Sequence, residues 1–202
     1  MAGRGRPRGF DKDQALRRAM DVFWTRGYQG ASMAELTKAM DLTPPSLYAA
    51  FGDKEALFRS ALQLYSTTEG SGIWTGVETA PTAREAVDAV LRATAEAFTC
   101  HAEPRGCMIV LSALQSESPH PEICDELKAL RTANIDLLQN RFERAKADGE
   151  LPENADCRAL ALFVTTLQHG MSIQARDGAD RTALNAVADC AMAGWDAMVR
   201  VP

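Results

Sequence analysis

Nowhere does this chain offer the ~18 consecutive apolar residues that a bilayer-crossing helix needs, and its N-terminus lacks the apolar stretch of a secretory signal. A cytoplasmic protein is therefore expected. Histidine is scarce, with only His101, His120 and His169, and there is no glycine-rich phosphate loop, no GxSxG elbow and no HExxH. The arrangement left for catalysis is a cysteine nucleophile assisted by His101 or His169, which must meet in space rather than in sequence. No enzymatic activity is expected. The five cysteines, Cys100, Cys107, Cys124, Cys157 and Cys190, show no paired spacing, and an odd count does not suit a disulfide framework. Reduced thiols follow. Cys100 with His101, and His120 with Cys124, could supply ligands, but neither reproduces a zinc spacing. Neither metal nor cofactor is expected.

What the chain does contain is a helix-turn-helix signature over residues 31–57, ASMAELTKAMDLTPPSLYAAFGDKEAL. Ser32 followed three residues later by Glu35 is a capping box and starts a helix from Met33 to Met40. Asp41, Leu42 and Thr43 form a short polar turn with one apolar anchor. Thr43 caps the next helix, and Pro44 occupies its first position, where a missing N–H is harmless. That second helix ends at Gly52, and Asp53 caps a third with Lys54 and Glu55 in its first turn. Helices this short are not stable alone. Upstream, Asp11 with Gln14 starts a helix that Gly27 ends, and Leu16, Ala19, Phe23, Leu36, Leu47 and Phe51 recur at helical spacing as one small core. Such a unit fits a major groove, with double-stranded DNA as the partner.

These residues, together with Ala15, Tyr28, Leu42, Tyr48, Leu57 and Phe58, resemble the TetR-type transcriptional regulators over the first quarter to third of the chain. The resemblance implies an all-α fold: an N-terminal three-helix DNA-binding domain and a larger C-terminal helical domain for ligand binding and dimerisation. It implies contacts in and around the groove from Ser32, Thr43, Pro44, Ser46 and Tyr48, with Ser32 and Lys54 at the DNA backbone, Lys54 on phosphate. Ala50 replaces a His found in many relatives, and Pro44 and Pro45 stand in tandem. The expected divisions are a flexible basic arm at 1–10, a head at 11–55 and a helical domain at 56–202. The function implied is a regulator, a repressor releasing a palindromic operator when a small molecule binds.

Charge distribution agrees with that reading. Residues 1–60 hold ten Lys and Arg against seven acids, a net of +3, whereas the whole chain has 22 against 27. The remainder therefore carries 12 against 20, a net of −8. Arg4, Arg6 and Arg8, spaced by Gly and Pro, form an arm suited to the narrow minor groove of A·T-rich DNA.

Beyond residue 60 the patterning is helical. A Gly, Ser and Thr-rich stretch from Thr67 to Ala80 reads as a hinge or mobile loop. Thr82 caps a helix from Ala83 to about His101, and an apolar segment from Cys107 to Leu114 lies inside the domain. Residues 122–147 form an amphipathic helix with Leu127, Leu130, Ile135, Leu138 and Phe142 inward and Arg141, Glu143, Arg144 and Lys146 outward. Asp156 caps a helix from Cys157 to Arg176, and a last one runs from Thr182 to Arg200. By the resemblance these last two helices pair with a second copy, placing Phe163, Leu167, Gly170, Met171, Met192 and Trp195 near a homodimer interface. It also implies a cavity for an unknown small-molecule effector, lined by Trp74, Phe98, Met108, Leu111, Gln115, Phe163, Thr166 and His169.

Cys107, preceded by Arg105 and Gly106 at a helix start, is a candidate redox or electrophile sensor in that cavity. The helix dipole and the guanidinium would lower its pKa. A helical adaptor binding another protein would account for the apolar C-terminal helices but not for the head.

Overall fold

The structure is a computed structural model that describes residues 10–101, 105–112 and 120–200. Among the described residues it is helical throughout, with no strand. The helices are α1 (Lys12–Gly30), α2 (Met33–Met40), α3 (Pro44–Phe51), α4 (Lys54–Thr67), α5 (Ser71–Trp74), α6 (Gly76–Thr79), α7 (Ala83–Thr99), α8 (Met108–Ser112), α9 (Pro121–Ala147), α10 (Cys157–Arg176), α11 (Arg181–Ala193) and α12 (Trp195–Met198). None of them is long and apolar enough to cross a membrane. They form two compact units that divide after Leu64, inside α4, because Leu57, Phe58, Ala61 and Leu62 belong to the core of the first.

That first core is aromatic. Phe23 meets Phe58 edge-on at 5.0 Å between ring centroids, and Tyr28 does the same at 5.0 Å. Asp11 caps α1 by accepting N–H bonds from Asp13 at 3.0 Å and Gln14 at 3.1 Å. The regular part of α1 stops at Gly27, whose φ of +69° leaves the right-handed helix before a last turn to Gly30. Leu16 is half-buried; the face turned inward is that of Ala15, Ala19, Met20, Phe23 and Trp24. The expected core thus holds, with its stripe on α1 rotated by one residue.

In the second unit α7 is central, packed by α5, α6, α10 and α11, while α10 also lies along α9. Ala86, Val87, Val90, Leu91, Ala95 and Phe98 of α7 are all buried, as their spacing predicts. Three expectations fail here. The stretch expected as a mobile loop forms α5 and α6, pinned to α7 because Ile73 and Val77 insert into the core. Arg141, expected outward, is buried. Its Nη2 donates to the carbonyls of Ala80 and Pro81, each at 3.4 Å, and to Glu150 at 3.5 Å. Glu150 in turn accepts the Ala83 N–H, so an ion pair joins the end of α9 to the start of α7. The last predicted helix is broken at Gly194 into α11 and α12, and Trp195 turns inward to lie 6.0 Å from Phe142.

Candidate functional site

Local chemistry builds the head in the order the sequence suggests. The Ser32 Oγ accepts the Glu35 N–H at 3.2 Å while the Glu35 carboxylate accepts the Ser32 N–H at 3.1 Å. That backbone N–H, with the Ser32 hydroxyl, holds the Glu35 carboxyl below its usual range. Asp41 adopts the left-handed conformation at φ +55°, and the Leu42 N–H returns to the Thr37 carbonyl at 3.0 Å, closing α2. Thr43 caps α3, bonding both the Ser46 N–H at 3.4 Å and the Ser46 hydroxyl at 2.9 Å.

With Leu36, Met40, Leu47 and Phe51 buried, the outward side of α3 carries Thr43, Pro44 and Tyr48, all exposed. Tyr48 is 51% exposed, an unusual state for an aromatic and one suited to contact with another molecule. Ser32 is also exposed and Ser46 half-buried. The Asp53 carboxylate accepts the Ala56 N–H at 2.8 Å, capping α4. Lys54 in its first turn rests its Nζ 4.5 Å from the centre of the Tyr28 ring, and burial lowers its pKa.

The second unit encloses a cavity of about 340 Å³ between the end of α4, α5, α8, α9 and α10. Tyr65, Ile73, Trp74, Cys107, Ile109, Val110 and Leu130 supply most of its apolar wall, and Arg131, Asn134, Gln168 and His169 its polar side. The α8 wall is held by the Cys107 N–H, which donates to the buried Ser172 Oγ at 2.7 Å. Burial raises the Cys107 thiol, although the Tyr65 hydroxyl, the Val110 and Ile109 N–H groups and Arg131 act in the opposite sense. Burial, reinforced by Arg131, lowers His169, which is neutral near pH 7.

Comparison with known proteins gives this architecture a family. The pattern of the bacterial regulatory proteins of the tetR family matches residues 15–61, and that of the tetracyclin repressor-like C-terminal domain matches residues 83–191, more than half of the chain. The chain belongs to the TetR family. It is 33% identical over 201 residues to the HTH-type transcriptional repressor ComR of Escherichia coli (strain K12), covering 98% of this chain and 94% of that one. It is 32% identical over 192 residues to the repressor BdcR of the same strain, covering 94% and 90%. Among solved structures, a cysteine-substituted form of the TetR family regulator CifR, complexed with 26-bp operator DNA, superposes with a TM-score of 0.88 at 48% identity. That alignment covers 95% of this chain and all of the other. The all-α fold with an N-terminal helix-turn-helix, read from sequence, is therefore that of a TetR-type transcriptional regulator.

Within this TetR-type chain the expected site residues fare differently. Arg4, Arg6, Arg8 and Gln115 lie outside the described residues. Trp74, Cys107 and His169 come together on the cavity. Phe98, Met108 and Leu111 do not line it; they are buried in the core, where their apolar faces pack closely. Phe163 and Thr166 are exposed, because the face of α10 turned inward carries Val164, Gln168 and Met171 instead. Of the residues expected at the dimer interface, Phe163, Leu167 and Gly170 lie on the outer side of α10. Met171, Met192 and Trp195 are buried within one chain, as Trp195 against Phe142 shows. Cys107 sits at a helix start as expected, but its predicted acidity is overturned, since burial outweighs the nearby donors.

Sequence reasoning missed Arg131, Asn134 and Gln168. A signal existed: Arg131 and Asn134 interrupt the stripe Leu127, Leu130, Leu138 at helical spacing. Polar side chains set into an apolar face are either partnered in the core or aimed into a cavity.

Proposed function

We propose that the protein is a cytoplasmic, homodimeric repressor that binds a palindromic operator, one head per half-site, and releases it when a small molecule occupies the cavity of the second unit. The observation that carries the DNA part is the exposed row Thr43, Pro44 and Tyr48 on a capped, packed α3, in a family whose relatives ComR and BdcR bear the name repressor. The match to CifR in complex with operator DNA supports the same partner. In this reading Ser32 and Lys54 contact phosphate, Ser46 and Tyr48 reach the groove, and the Arg4, Arg6 and Arg8 arm follows the minor groove.

The dimer rests on an apolar outer face. Leu162, Phe163 and Ile173 of α10 are among the few large apolar residues left exposed, and Phe163 and Leu167 line a groove with Ala183, Ala186, Val187, Cys190 and Ala191 of α11. Non-covalent occupation of the cavity is favoured over thiol chemistry, because Cys107 rests as a buried, protonated thiol.

Selection of bound duplexes from a random DNA pool tests the reading. Enrichment of an inverted repeat supports it, and absence of enrichment by a folded dimer overturns it. The enriched repeat then serves the effector test. Ala133→Phe, which adds a ring at an exposed lining position on the rim of the cavity, should retain operator affinity and abolish release by small molecules.

A further inference from the structure

We propose that the effector is a small monocarboxylate with an apolar body, its acid group held by Arg131 of α9 inside the cavity. This rests on the cavity being the effector site. Among the described residues two arginines have a guanidinium nitrogen shielded from solvent without a hydrogen-bond partner, Nε of Arg141 and Nη1 of Arg131, but the two groups differ in their other partners. Arg141 has Glu150 and two backbone carbonyls as partners. Arg131 reaches the cavity wall, and its Nη1 is shielded from solvent with no hydrogen-bond partner among the described residues.

Burial lowers the Arg131 pKa, and among the described residues the groups acting on its charge are the Cys107 and Cys124 thiols, with no carboxylate. The same positive charge helps to keep His169 neutral on the same wall. A half-buried cation with a shielded, unpartnered N–H and no counter-charge among the described residues is costly. An incoming carboxylate supplies the missing partner, and a planar guanidinium matches its two oxygens.

Charge and shape narrow the class further. One cation beside a neutral imidazole and the Gln168 amide balances a single negative charge, not a dianion. Trp74, Val110 and Leu130 in the same lining are apolar and suit an aromatic ring or a branched chain. A volume of about 340 Å³ lies at the small end of ligand pockets, so one ring or a short chain fills it.

The test uses the full chain and calorimetric titration with benzoate, phenylacetate and hexanoate, each compared with its own primary amide. At least one acid should bind, about 10- to 100-fold tighter than its amide, as a hydrogen-bonded charge pair requires. Arg131→Met should reduce that acid to the affinity of its amide without weakening the amide, and Arg131→Lys should restore part of the preference. Arg131→Met should also leave the Tm of the unliganded chain unchanged or raised, which guards against misfolding as the cause. An amide that binds as well as its acid, or a preference that survives Arg131→Met, overturns the proposal while leaving the cavity as the effector site. Binding of neither series overturns the proposal. If Ala133→Phe also leaves effector release from the selected operator intact, the cavity reading falls as well.

Discussion

Replacing Gly106 by alanine should damage the second unit far more than the loss of one hydrogen atom suggests. Gly106 has a φ of +65°, and a Cβ built there would overlap the Ser172 carbonyl oxygen, lie 2.8 Å from the Ser172 Oγ and lie 2.9 Å from Leu111 Cδ1. The carbonyl belongs to the α10 backbone and cannot rotate away. Accommodating the methyl group therefore means lifting α8 from α10, which breaks the 2.7 Å bond from the Cys107 N–H to Ser172 Oγ. The left-handed φ costs roughly 1 kcal/mol, overpacking about 1–3 and an orphaned buried N–H about 1–3, or about 3–7 kcal/mol together.

For a chain of this size that corresponds to a fall in Tm of roughly 6–28 °C, a large share of a total stability of about 5–15 kcal/mol. Scanning calorimetry reads it directly. Gly149→Ala is the control, since Gly149 has a similar φ of +76° but a Cβ there would meet nothing within 4 Å. It should lose only about 1 kcal/mol, the cost of the backbone angle alone. Ser172→Ala should not rescue Gly106→Ala, because the carbonyl remains. A Tm for Gly106→Ala within about 2 °C of the parent, or equal to that of Gly149→Ala, would refute the steric argument.

Three further outcomes are expected. Lys54→Ala should weaken binding to every DNA sequence alike and flatten the plot of log affinity against log salt by about one unit, measured by fluorescence anisotropy; a loss confined to one operator would contradict a phosphate contact. Phe163→Glu should place a charge on the apolar α10 face and shift the chain to monomer in analytical ultracentrifugation, whereas an undisturbed dimer would remove this face from the interface. His169, whose pKa is lowered by burial and by Arg131, takes up a proton in the unfolded chain before it does so in the folded one. Stability from this group is thus complete above its ordinary value near 6.5 and declines as pH falls from there through the folded-state pKa. His169→Gln should lose that part of the decline in pH-dependent unfolding, and identical profiles for the two proteins would show that the burial has no such effect.

Legibility in the sequence follows the range of the interaction. Ser32, Glu35, Thr43, Pro44, Asp53, Thr82 and Asp156 set helix starts that the structure reproduces, because a cap bonds N–H groups two or three residues away. Failures occur where a distant partner decides. Arg141 looks like a surface residue on its helix until Glu150 and the Ala80 and Pro81 carbonyls are folded against it. Thr67 to Ala80 has the composition of a loop, yet Ile73 and Val77 find α7 and the segment winds into two short helices.

By itself, then, the sequence determined the all-α class, the head with its capped α2 and α3, the placement of positive charge in the first sixty residues, and the family. These depend on local periodicity, caps and composition, which need no knowledge of the rest of the chain. Only the tertiary structure decided which apolar residues are core and which are wall: Phe98 and Met108 vanish into packing, whereas Trp74, Cys107 and His169 meet Arg131 around a cavity. Helical spacing says that a residue faces inward, but whether it meets a neighbour or a void is fixed by side chains from helices far away in sequence.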